Sequence, residues 1–292
     1  MDDGVCYFWR KRWDDRTFEV LIHQIDEAHT IIARKIPIVS SEFWIGYSET
    51  HEEKYLAEAL SVEQVERVSA ERVGRVLRGR DETIFLDKQD RKIRNLHNAI
   101  RYLFGEPSMP FVRPTHLSFD PMLAIYIHRL VGDQLFSDPG RFRTTEAKPA
   151  HQEQRYCAPN RVRSELETLF ADTRRSMEHA TLRELMGVAG RFMGRFLWIH
   201  PFTNGNGRTA RLLLSYVLCE KVVVPVSLYV GSNLHEARAC YLTCLAEGHE
   251  LSLSATRDLS YKMLTMLITE AVLQNVEDVV TTLNLRDSQD DE

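Results

Sequence analysis

The apolar periodicity on either side of one glycine-rich turn constrains the fold of this chain most strongly. Before the turn, apolar residues recur at three- and four-residue steps on Leu182, Leu185, Ala189, Phe192 and Phe196. This spacing places them on one face of an α-helix. After the turn, residues 209–217 (TARLLLSYV) are apolar on most sides, which is typical of a helix packed inside a bundle. The pattern therefore predicts two interior helices joined by a short turn.

Helical periodicity continues through most of the chain. Segment 117–135 has a helix start signal on Ser118, Asp120 and Pro121, followed by an apolar stripe on Leu123, Ile127, Leu130 and Val131. A valine repeat marks the N-terminal region, on Val62, Val65, Val68, Val73 and Val76. A C-terminal stripe lies on Leu259, Met263, Met266 and Leu267. Residues 138–162 lack any such stripe and are rich in proline, which predicts a loop or a short hairpin.

The composition excludes several classes of protein. Hydrophobic residues make up 43% and charged residues 27% of the 292 residues, as in an ordinary soluble globular protein. The net charge of −5 argues against nucleic acid as the main partner, and no apolar run approaches the roughly 18 residues of a membrane span. The N-terminus is too charged for a secretory signal, and the five cysteines contain no CxxC pair. We predict a cytoplasmic protein, in a bacterial cytosol or, for a secreted effector, a host cytosol, with its oligomeric state left open.

The turn itself, HPFTNGNGRTAR from His200 to Arg211, carries residue types suited to phosphate chemistry. Gly205 and Gly207 allow the backbone to approach an anion closely at the start of a helix, where free N–H groups favour negative charge. Arg208 and Arg211 fall on the same face of that helix. An imidazole such as that of His200 is the natural general base at neutral pH. Together they predict a site for attack on a phosphate ester or anhydride.

Each of these residues also has a purely structural interpretation. A single histidine is more often a satisfied structural residue, and a glycine-rich turn between helices is more often a connector. The combination is more specific, because base, glycines and two arginines occur within one short segment.

The same segment resembles the Fic signature HPFx[DE]GNGRxxR at every fixed position except Asn204. GRFRT (140–144) resembles the stretch that precedes the flap of that family, and DKQDRKIRNLHNAIRYL (87–103) resembles its leading core helix. The resemblance implies an all-α helical bundle of the Fic (Fido) type with a small β-hairpin flap. We place this domain at residues 85–272. An N-terminal helical, regulatory segment (1–84) would precede it, and a helix end with an acidic tail (273–292) would follow.

The resemblance further implies a protein adenylyltransferase, which moves AMP from ATP onto a Ser, Thr or Tyr hydroxyl of a target protein. His200 would act as general base and Phe202 as a structural anchor. Phosphate-binding roles would fall to Gly205, Asn206, Gly207, Arg208 and Arg211. Tyr241 would line the adenine pocket, although a core tyrosine is nearly as good an interpretation. The flap, about residues 144–157, would dock the target by strand pairing.

Asn204 departs from the family pattern, which has Asp or Glu there to bind Mg²⁺. An amide oxygen can still bind a hard cation, but without the charge of a carboxylate it should bind more weakly. We therefore expect a higher magnesium requirement, or activity with Mn²⁺.

Regulation and alternative activities are further implications of the resemblance. Many relatives have an inhibitory helix with the pattern [ST]xxxE[GN], whose glutamate pairs with the second signature arginine, here Arg211. Ser48 and Glu52 have the right spacing, but Glu53 replaces Gly or Asn, and ordinary surface charge explains Glu52 equally well. The alternatives to AMP transfer are UMP transfer, removal of AMP from a target, or a catalytically weak interaction module.

Overall fold

The computed structural model describes residues 16–64, 67–79, 86–106, 117–148, 156–229, 234–252 and 261–290. Within these ranges the chain forms α-helices and one short 3-10 helix at Pro159–Arg161, and no strand. The helices are α1 (Phe18–Lys35), α2 (Ser41–Gln64), α3 (Ala70–Arg78), α4 (Lys88–Phe104), α5 (Pro121–Gly132), α6 (Val162–Met177), α7 (Leu182–Ile199), α8 (Asn206–Leu218), α9 (Leu234–Ser252) and α10 (Lys262–Asp290). The predicted all-α bundle is confirmed.

Helix α7 lies at the centre of the bundle and packs against α6, α8 and α10. Its predicted apolar stripe is buried at every position, on Leu182, Leu185, Ala189, Phe192 and Phe196. A capping box starts the helix, because the Thr181 side chain accepts from the Glu184 N–H while the Glu184 side chain accepts from the Thr181 N–H. A helix fixed in this way gives the turn at its C-terminal end a rigid support.

One glycine allows α7 and α10 to approach closely. A Cβ atom added at Gly190 would lie 2.1 Å from Thr265 Oγ1 and 3.1 Å from Thr265 Cα. A larger side chain would push the two helices apart, since backbone atoms cannot move aside as a flexible side chain can. This contact seats α7 against the longest helix of the bundle.

The N-terminal helices pack along the outside of this core. Helix α1 packs against α10, and α2 packs against α3, α4 and α9. The valine repeat does not form one helix: Val62 lies on α2, Val68 lies between the helices, and Val73 and Val76 lie on α3, while Val65 is outside the described residues. Ser69 starts the new helix, its side chain accepting from the Arg72 N–H at 3.1 Å.

Two helix ends differ from the sequence-based expectation. Helix α5 begins at Pro121, and its cap is Asp120 rather than Ser118, since the Asp120 carboxylate accepts from the N–H groups of Met122 and Leu123. Helix α10 continues from Lys262 through Asp290, so it includes most of the acidic stretch. Leu259 lies outside the described residues, and the domain limits at 84 and 272 stay predictions. Within the described ranges, no helix has both the length and the apolarity needed to span a membrane.

The predicted flap is described only at its two ends. Residues 149–155 lie outside the described ranges, so a hairpin tip stays a prediction. The ends face each other, because the Tyr156 N–H donates to the Ala147 carbonyl at 3.2 Å.

Candidate functional site

The imidazole of His200 lies where α7 stops. His200 is the C-cap residue with a left-handed backbone (φ 49°, ψ 59°), and its N–H donates to the Phe196 carbonyl at 3.0 Å. Its ring Nδ1 lies 3.3 Å from the Leu197 carbonyl oxygen. Because a carbonyl oxygen only accepts, this contact assigns the ring proton to Nδ1 and leaves Nε2 as a hydrogen-bond acceptor. A half-buried imidazole in this state can take a proton from an incoming hydroxyl.

The turn after His200 is closed by its own asparagine. The Phe202 N–H donates to Asn206 Oδ1 at 3.0 Å, and Asn206 Nδ2 donates to the Phe202 carbonyl at 2.7 Å. Phe202 is fully buried and Asn206 is 3% exposed. The Asn206 side chain therefore fixes the turn from inside, while Phe202 anchors it in the core.

His128 on α5 supports the same turn from below. Its ring stacks on Phe202 with the ring centroids 3.7 Å apart. The Gly140 N–H donates to its Nδ1 at 2.7 Å, so Nε2 carries the proton and donates to the Asn204 carbonyl at 2.8 Å. Burial lowers the pKa of His128 to about 4, opposed by the hydrogen bond to Asn204 and assisted by the positive charge of Arg208. His128 is therefore neutral at physiological pH and links the turn, through Nε2, to the backbone at Gly140, through Nδ1.

Gly205 forms the entry to α8. It is the N-cap residue with φ +75°, and a Cβ atom there would lie 2.7 Å from the ring of Phe136. Both the left-handed backbone and the lack of space require glycine. The first N–H groups of a helix have no acceptor within the helix, so this end of α8 favours an anion.

Two buried arginines lie in the first turns of α8. Arg208 is 6% exposed and Arg211 is 7% exposed. The Arg208 guanidinium carbon lies 5.2 Å from the centroid of the Phe136 ring, in a cation–π contact. The positive charge of the two arginines adds to the preference of the α8 N-terminus for an anion.

Arg211 lines a cavity between α2, α8, α9 and the segment that follows α8. The space it encloses is about 280 Å³, part of which is open to solvent. Tyr241, Tyr229, Ser227 and Glu58 also line it. Arg211 and Tyr241, which the resemblance assigned to one nucleotide, therefore share one cavity.

Arg143 joins the flap ends to the end of α7. Its side chain is 4% exposed, and its guanidinium donates to four backbone carbonyls. Nε reaches His200 at 2.7 Å, Nη1 reaches Thr145 at 2.8 Å, and Nη2 reaches Ile199 at 3.1 Å as well as Cys157. Among the described residues, the hydrogen-bond partners of this arginine are backbone carbonyls, so it acts as a structural bracket that holds the backbone of His200 against both limbs of the flap.

Tyr156 completes the surroundings of His200. Its ring stacks on the imidazole with the centroids 3.8 Å apart and the planes 6° from parallel. Next to it, the Cys157 N–H donates to the Trp198 carbonyl at 3.1 Å, which ties this limb of the flap to α7.

Residues 118–218, from just before α5 to the end of α8, match the model of the Fic/DOC family. Residues 118–218 form a Fic domain. The matched residues contain His128, Arg143, Tyr156 and the whole turn from His200 to Arg211. The match lies inside the predicted limits of 85–272.

Solved structures of Fic proteins have the same fold over most of the chain. A Fic-domain signalling protein from Bacteroides thetaiotaomicron VPI-5482 has a TM-score of 0.70 at 13% identity, over 87% of this chain and 95% of that one. A Fic family protein from Desulfovibrio desulfuricans G20 has a TM-score of 0.65 at 17% identity, over 91% and 76%. Fic-1 from C. elegans has a TM-score of 0.66 at 17% identity, over 92% and 74%. At these identities the likeness shows the fold alone.

A short stretch also resembles a viral protein. It is 42% identical over 45 residues to the ribonucleoside-diphosphate reductase small chain of Ostreid herpesvirus 1 (isolate France). The match spans 15% of this chain and 8% of the viral protein, too little to indicate a shared activity.

The Fic domain brings the residues of the predicted turn together, but it does not bring Glu52 to Arg211. Glu52 is 3% exposed, and both carboxylate oxygens face α4. Oε1 lies 2.6 Å from His97 Nδ1, and Oε2 lies 2.9 Å from Arg101 Nη2. The expected pairing of Glu52 with Arg211 is therefore wrong, because an ion pair between α2 and α4 occupies this carboxylate. Ser48 lies earlier on the same helix, half-buried.

The acidic residue in the Arg211 cavity is Glu58, further along α2. Burial raises the pKa of the Glu58 carboxyl above its ordinary value, although a hydrogen bond from Ser227 works in the opposite direction. The sequence contained a signal for it, because Glu58 interrupts the apolar run of YLAEAL (55–60).

His128, Arg143 and Tyr156 also escaped the sequence-based assignment. His128 had a signal, since it lies beside Ile127 and Val131 on an apolar stripe, where a polar residue needs a partner. Arg143 lay inside the GRFRT motif without a stated role. Tyr156 had no signal, because stacking on His200 depends on how the chain returns to α7.

Proposed function

We propose that this Fic-domain protein is an adenylyltransferase that moves AMP from ATP to a Ser, Thr or Tyr hydroxyl of a target protein. The proposal rests on the contact between His200 Nδ1 and the Leu197 carbonyl, which leaves Nε2 as an acceptor. That imidazole stands at one end of a turn whose other end is a helix N-terminus with two buried arginines. A base beside an anion site is the arrangement that nucleotidyl transfer requires.

In the proposed reaction, the hydroxyl oxygen of the target attacks the α-phosphorus of ATP. A new O–P bond forms, the α–β anhydride bond breaks, and pyrophosphate leaves with the electron pair. His200 Nε2 takes the proton of the hydroxyl. The N–H groups from Gly205 to Gly207, with Arg208 and Arg211, would hold the phosphates and stabilise the charge that develops on the leaving group.

Magnesium fits this site mainly through the phosphates of the nucleotide. In the described part of the chain, no group of three or more His, Cys, Asp and Glu residues could hold a metal ion. Asn204 is exposed at the turn and offers an amide oxygen, a ligand type that Mg²⁺ accepts. When bound, Mg²⁺ would neutralise charge on the phosphate oxygens. We expect this neutral ligand to bind it weakly, so that activity needs more Mg²⁺ or is supported by Mn²⁺.

The target protein would dock at the flap, residues 144–157. The hydrogen bond from Tyr156 to Ala147 sets the two ends side by side, which suits the base of a hairpin. A target segment that adds as a strand would be recognised through its backbone hydrogen bonds. The register of this pairing, rather than a side-chain pocket, would then determine where the target hydroxyl lies.

Transfer of a labelled phosphate tests the proposal. The purified protein would be incubated with a cell lysate, magnesium and ATP labelled at either the α- or the γ-phosphate. We expect label on protein from α-labelled ATP only, and its loss in His200→Ala. The matched control is His23→Ala, which removes an exposed histidine on α1 whose side chain is 74% exposed.

Other outcomes separate the alternatives. Stronger labelling from α-labelled UTP would identify a UMP transferase, and release of AMP from a modified protein would identify the reverse activity. Tight target binding without any label would identify an interaction module. Equal labelling by wild type and His200→Ala would contradict the role of the imidazole.

A further inference from the structure

The peptide unit that joins Asn204 to Gly205 is held in one orientation by a side chain from outside the turn. His128 is 2% exposed, and its Nε2 donates to the Asn204 carbonyl at 2.8 Å. The peptide bond is trans, so the Asn204 carbonyl and the Gly205 N–H point in opposite directions. Because the carbonyl points toward His128, the Gly205 N–H points away from it.

The protonation of the His128 ring opposes the reverse orientation of this peptide. The Gly140 N–H donates to Nδ1 at 2.7 Å, which places the ring proton on Nε2. In a flipped peptide, the Gly205 N–H would face the Nε2–H group, so that two donors would meet. The buried Nε2–H group would also lose its acceptor, which is unfavourable away from water. The ring therefore selects one of the two orientations.

Stacking fixes the place from which this hydrogen bond is donated. The planes of the His128 and Phe202 rings lie 4° from parallel, with centroids 3.7 Å apart, and the Phe136 ring stacks on His128 with centroids 5.4 Å apart. Phe202 is fully buried. A ring with these two stacks and a hydrogen bond at each nitrogen has little freedom to follow a rotating peptide.

The Gly205 N–H belongs to a row of backbone donors at the start of α8. Gly205 has a left-handed backbone (φ 75°, ψ 5°), and Asn206 is the first residue of the right-handed helix. Successive N–H groups at such a change of hand form a concave nest that binds anions. The direction of the first donor in this row is set by the peptide that His128 holds.

We propose that His128 is a positioning residue for the anion site: by binding the Asn204 carbonyl, it turns the Gly205 N–H toward the phosphates of the nucleotide. This inference rests on the proposed function, in which the N–H groups of residues 205–207 hold those phosphates. Without the hydrogen bond, the peptide would also adopt the reverse orientation. A carbonyl oxygen would then replace a donor in the anion site and repel the phosphate.

Two amide variants of His128 separate its two hydrogen bonds. A glutamine amide extends to the position of Nε2 and can donate to the Asn204 carbonyl. An asparagine amide extends only to the position of Nδ1, where it can accept from the Gly140 N–H but cannot reach Asn204. Both variants lose the ring, so the loss of stacking is common to them.

Initial rates of transfer from α-labelled ATP measure the effect. We expect His128→Asn to lower the ratio of maximal rate to half-saturating ATP concentration about 10-fold or more, and His128→Gln to stay within about threefold of wild type. His128→Phe keeps a stacked ring but donates nothing, so it should be as slow as His128→Asn. The matched control is Tyr216→Phe, which removes a hydroxyl donor to the Leu117 carbonyl and should match wild type. Thermal unfolding of each variant shows that it is folded.

A spectroscopic measurement follows the peptide itself and needs no activity. The pair Asn-Gly occurs twice in the chain, at 204–205 and 206–207. A spectrum that requires a 13C label on the asparagine carbonyl and a 15N label on glycine therefore contains two amide signals, and that of Gly205 is the one absent in Asn204→Asp. With saturating inorganic pyrophosphate, we expect the Gly205 amide proton to shift downfield in wild type, His128→Gln and Tyr216→Phe, but little in His128→Asn and His128→Phe.

The two measurements distinguish failure of the inference from failure of the proposed function. A folded His128→Asn or His128→Phe with the wild-type ratio would overturn the positioning role, as would His128→Gln that is as slow as His128→Asn. A Gly205 amide that responds to pyrophosphate equally in His128→Phe and wild type, or not at all in wild type, would also overturn it. A wild-type protein that transfers no label would sink the proposed function, and the Gly205 response would then decide the inference alone.

Discussion

The two ends of the turn from His200 to Arg211 are held by different kinds of contact. The phosphate end is fixed by buried side chains, with Phe202 fully buried, Asn206 bonded to it in both directions, and His128 stacked beneath. The base end is fixed by backbone carbonyls that accept from the buried Arg143 side chain and by the half-buried ring of Tyr156.

The difference suits the roles that we propose for the two ends. An anion site works best when its donors are already fixed, since no energy is then spent on ordering them during the reaction. A base has to remain accessible to a hydroxyl that arrives on another protein, so it cannot be enclosed in the core. Contacts within the turn and with the core therefore fix one end, and contacts with the two described limbs of the flap fix the other.

The largest expected effect comes from removing charge at the phosphate end. Arg208→Ala should lower the rate of AMP transfer by about 100-fold or more, because a preorganised donor to a developing charge is worth about 3 kcal/mol. The measurement is the initial rate with α-labelled ATP, with Arg141→Ala as control, since that arginine is 80% exposed. A loss smaller than about threefold would contradict a phosphate role for Arg208.

Lowering the pH should remove the contribution of His128 at the phosphate end to the stability of the fold. The pKa of His128 is about 4 in the folded chain and about 6.5 when unfolded, so the unfolded state binds more protons between these values. Its contribution to stability is therefore complete above about pH 6.5 and is lost as the pH falls toward 4, by about 3 kcal/mol at most. Urea unfolding at pH 7.5 and pH 5 should show a smaller pH effect in His128→Asn than in wild type. His23→Asn is the control. If His128→Asn showed the same pH dependence of unfolding as wild type, the burial of His128 would not be the cause of that dependence.

The two glutamates of α2 should separate stability from binding. Glu52→Gln breaks a buried ion pair and should destabilise the fold by about 3 kcal/mol in urea unfolding, with little effect on ATP affinity. Glu58→Gln removes a carboxyl from the Arg211 cavity and should tighten ATP binding by about two- to fivefold in calorimetry, because it removes a negative charge close to an arginine that we propose binds the phosphates. If Glu52→Gln instead tightened ATP binding and Glu58→Gln did not, the assignment of the two residues would be reversed.

The smallest expected effect concerns the metal. Asn204→Asp should lower the Mg²⁺ concentration that gives half-maximal transfer, by several-fold, because a carboxylate adds charge to the ligand. The variant leaves the turn intact, since His128 binds the backbone carbonyl of residue 204 and not its side chain. The same magnesium dependence in both proteins would show that Asn204 is not a ligand.

The sequence predicted the elements of the fold and site that depend on local pattern. The apolar stripe of α7 and the apolar α8 follow from helical periodicity. The turn between them follows from the glycines of the sequence, and position 205 has a backbone and surroundings that only glycine fits. The contacts of Glu52 did not follow, because spacing along α2 does not show which of its residues faces α4 and which faces Arg211. The position of Tyr156 could not be predicted from the sequence either, because its contact with His200 joins segments that are distant in sequence.

A crystal structure with a non-hydrolysable ATP analogue and magnesium would test the central claim most directly, that this turn holds a triphosphate against the His200 imidazole. We expect the β-phosphate on the N–H groups at the start of α8, the γ-phosphate near Arg211, and Nε2 of His200 facing the side from which a hydroxyl reaches the α-phosphate. An analogue bound elsewhere, or an imidazole turned away from the α-phosphate, would contradict it.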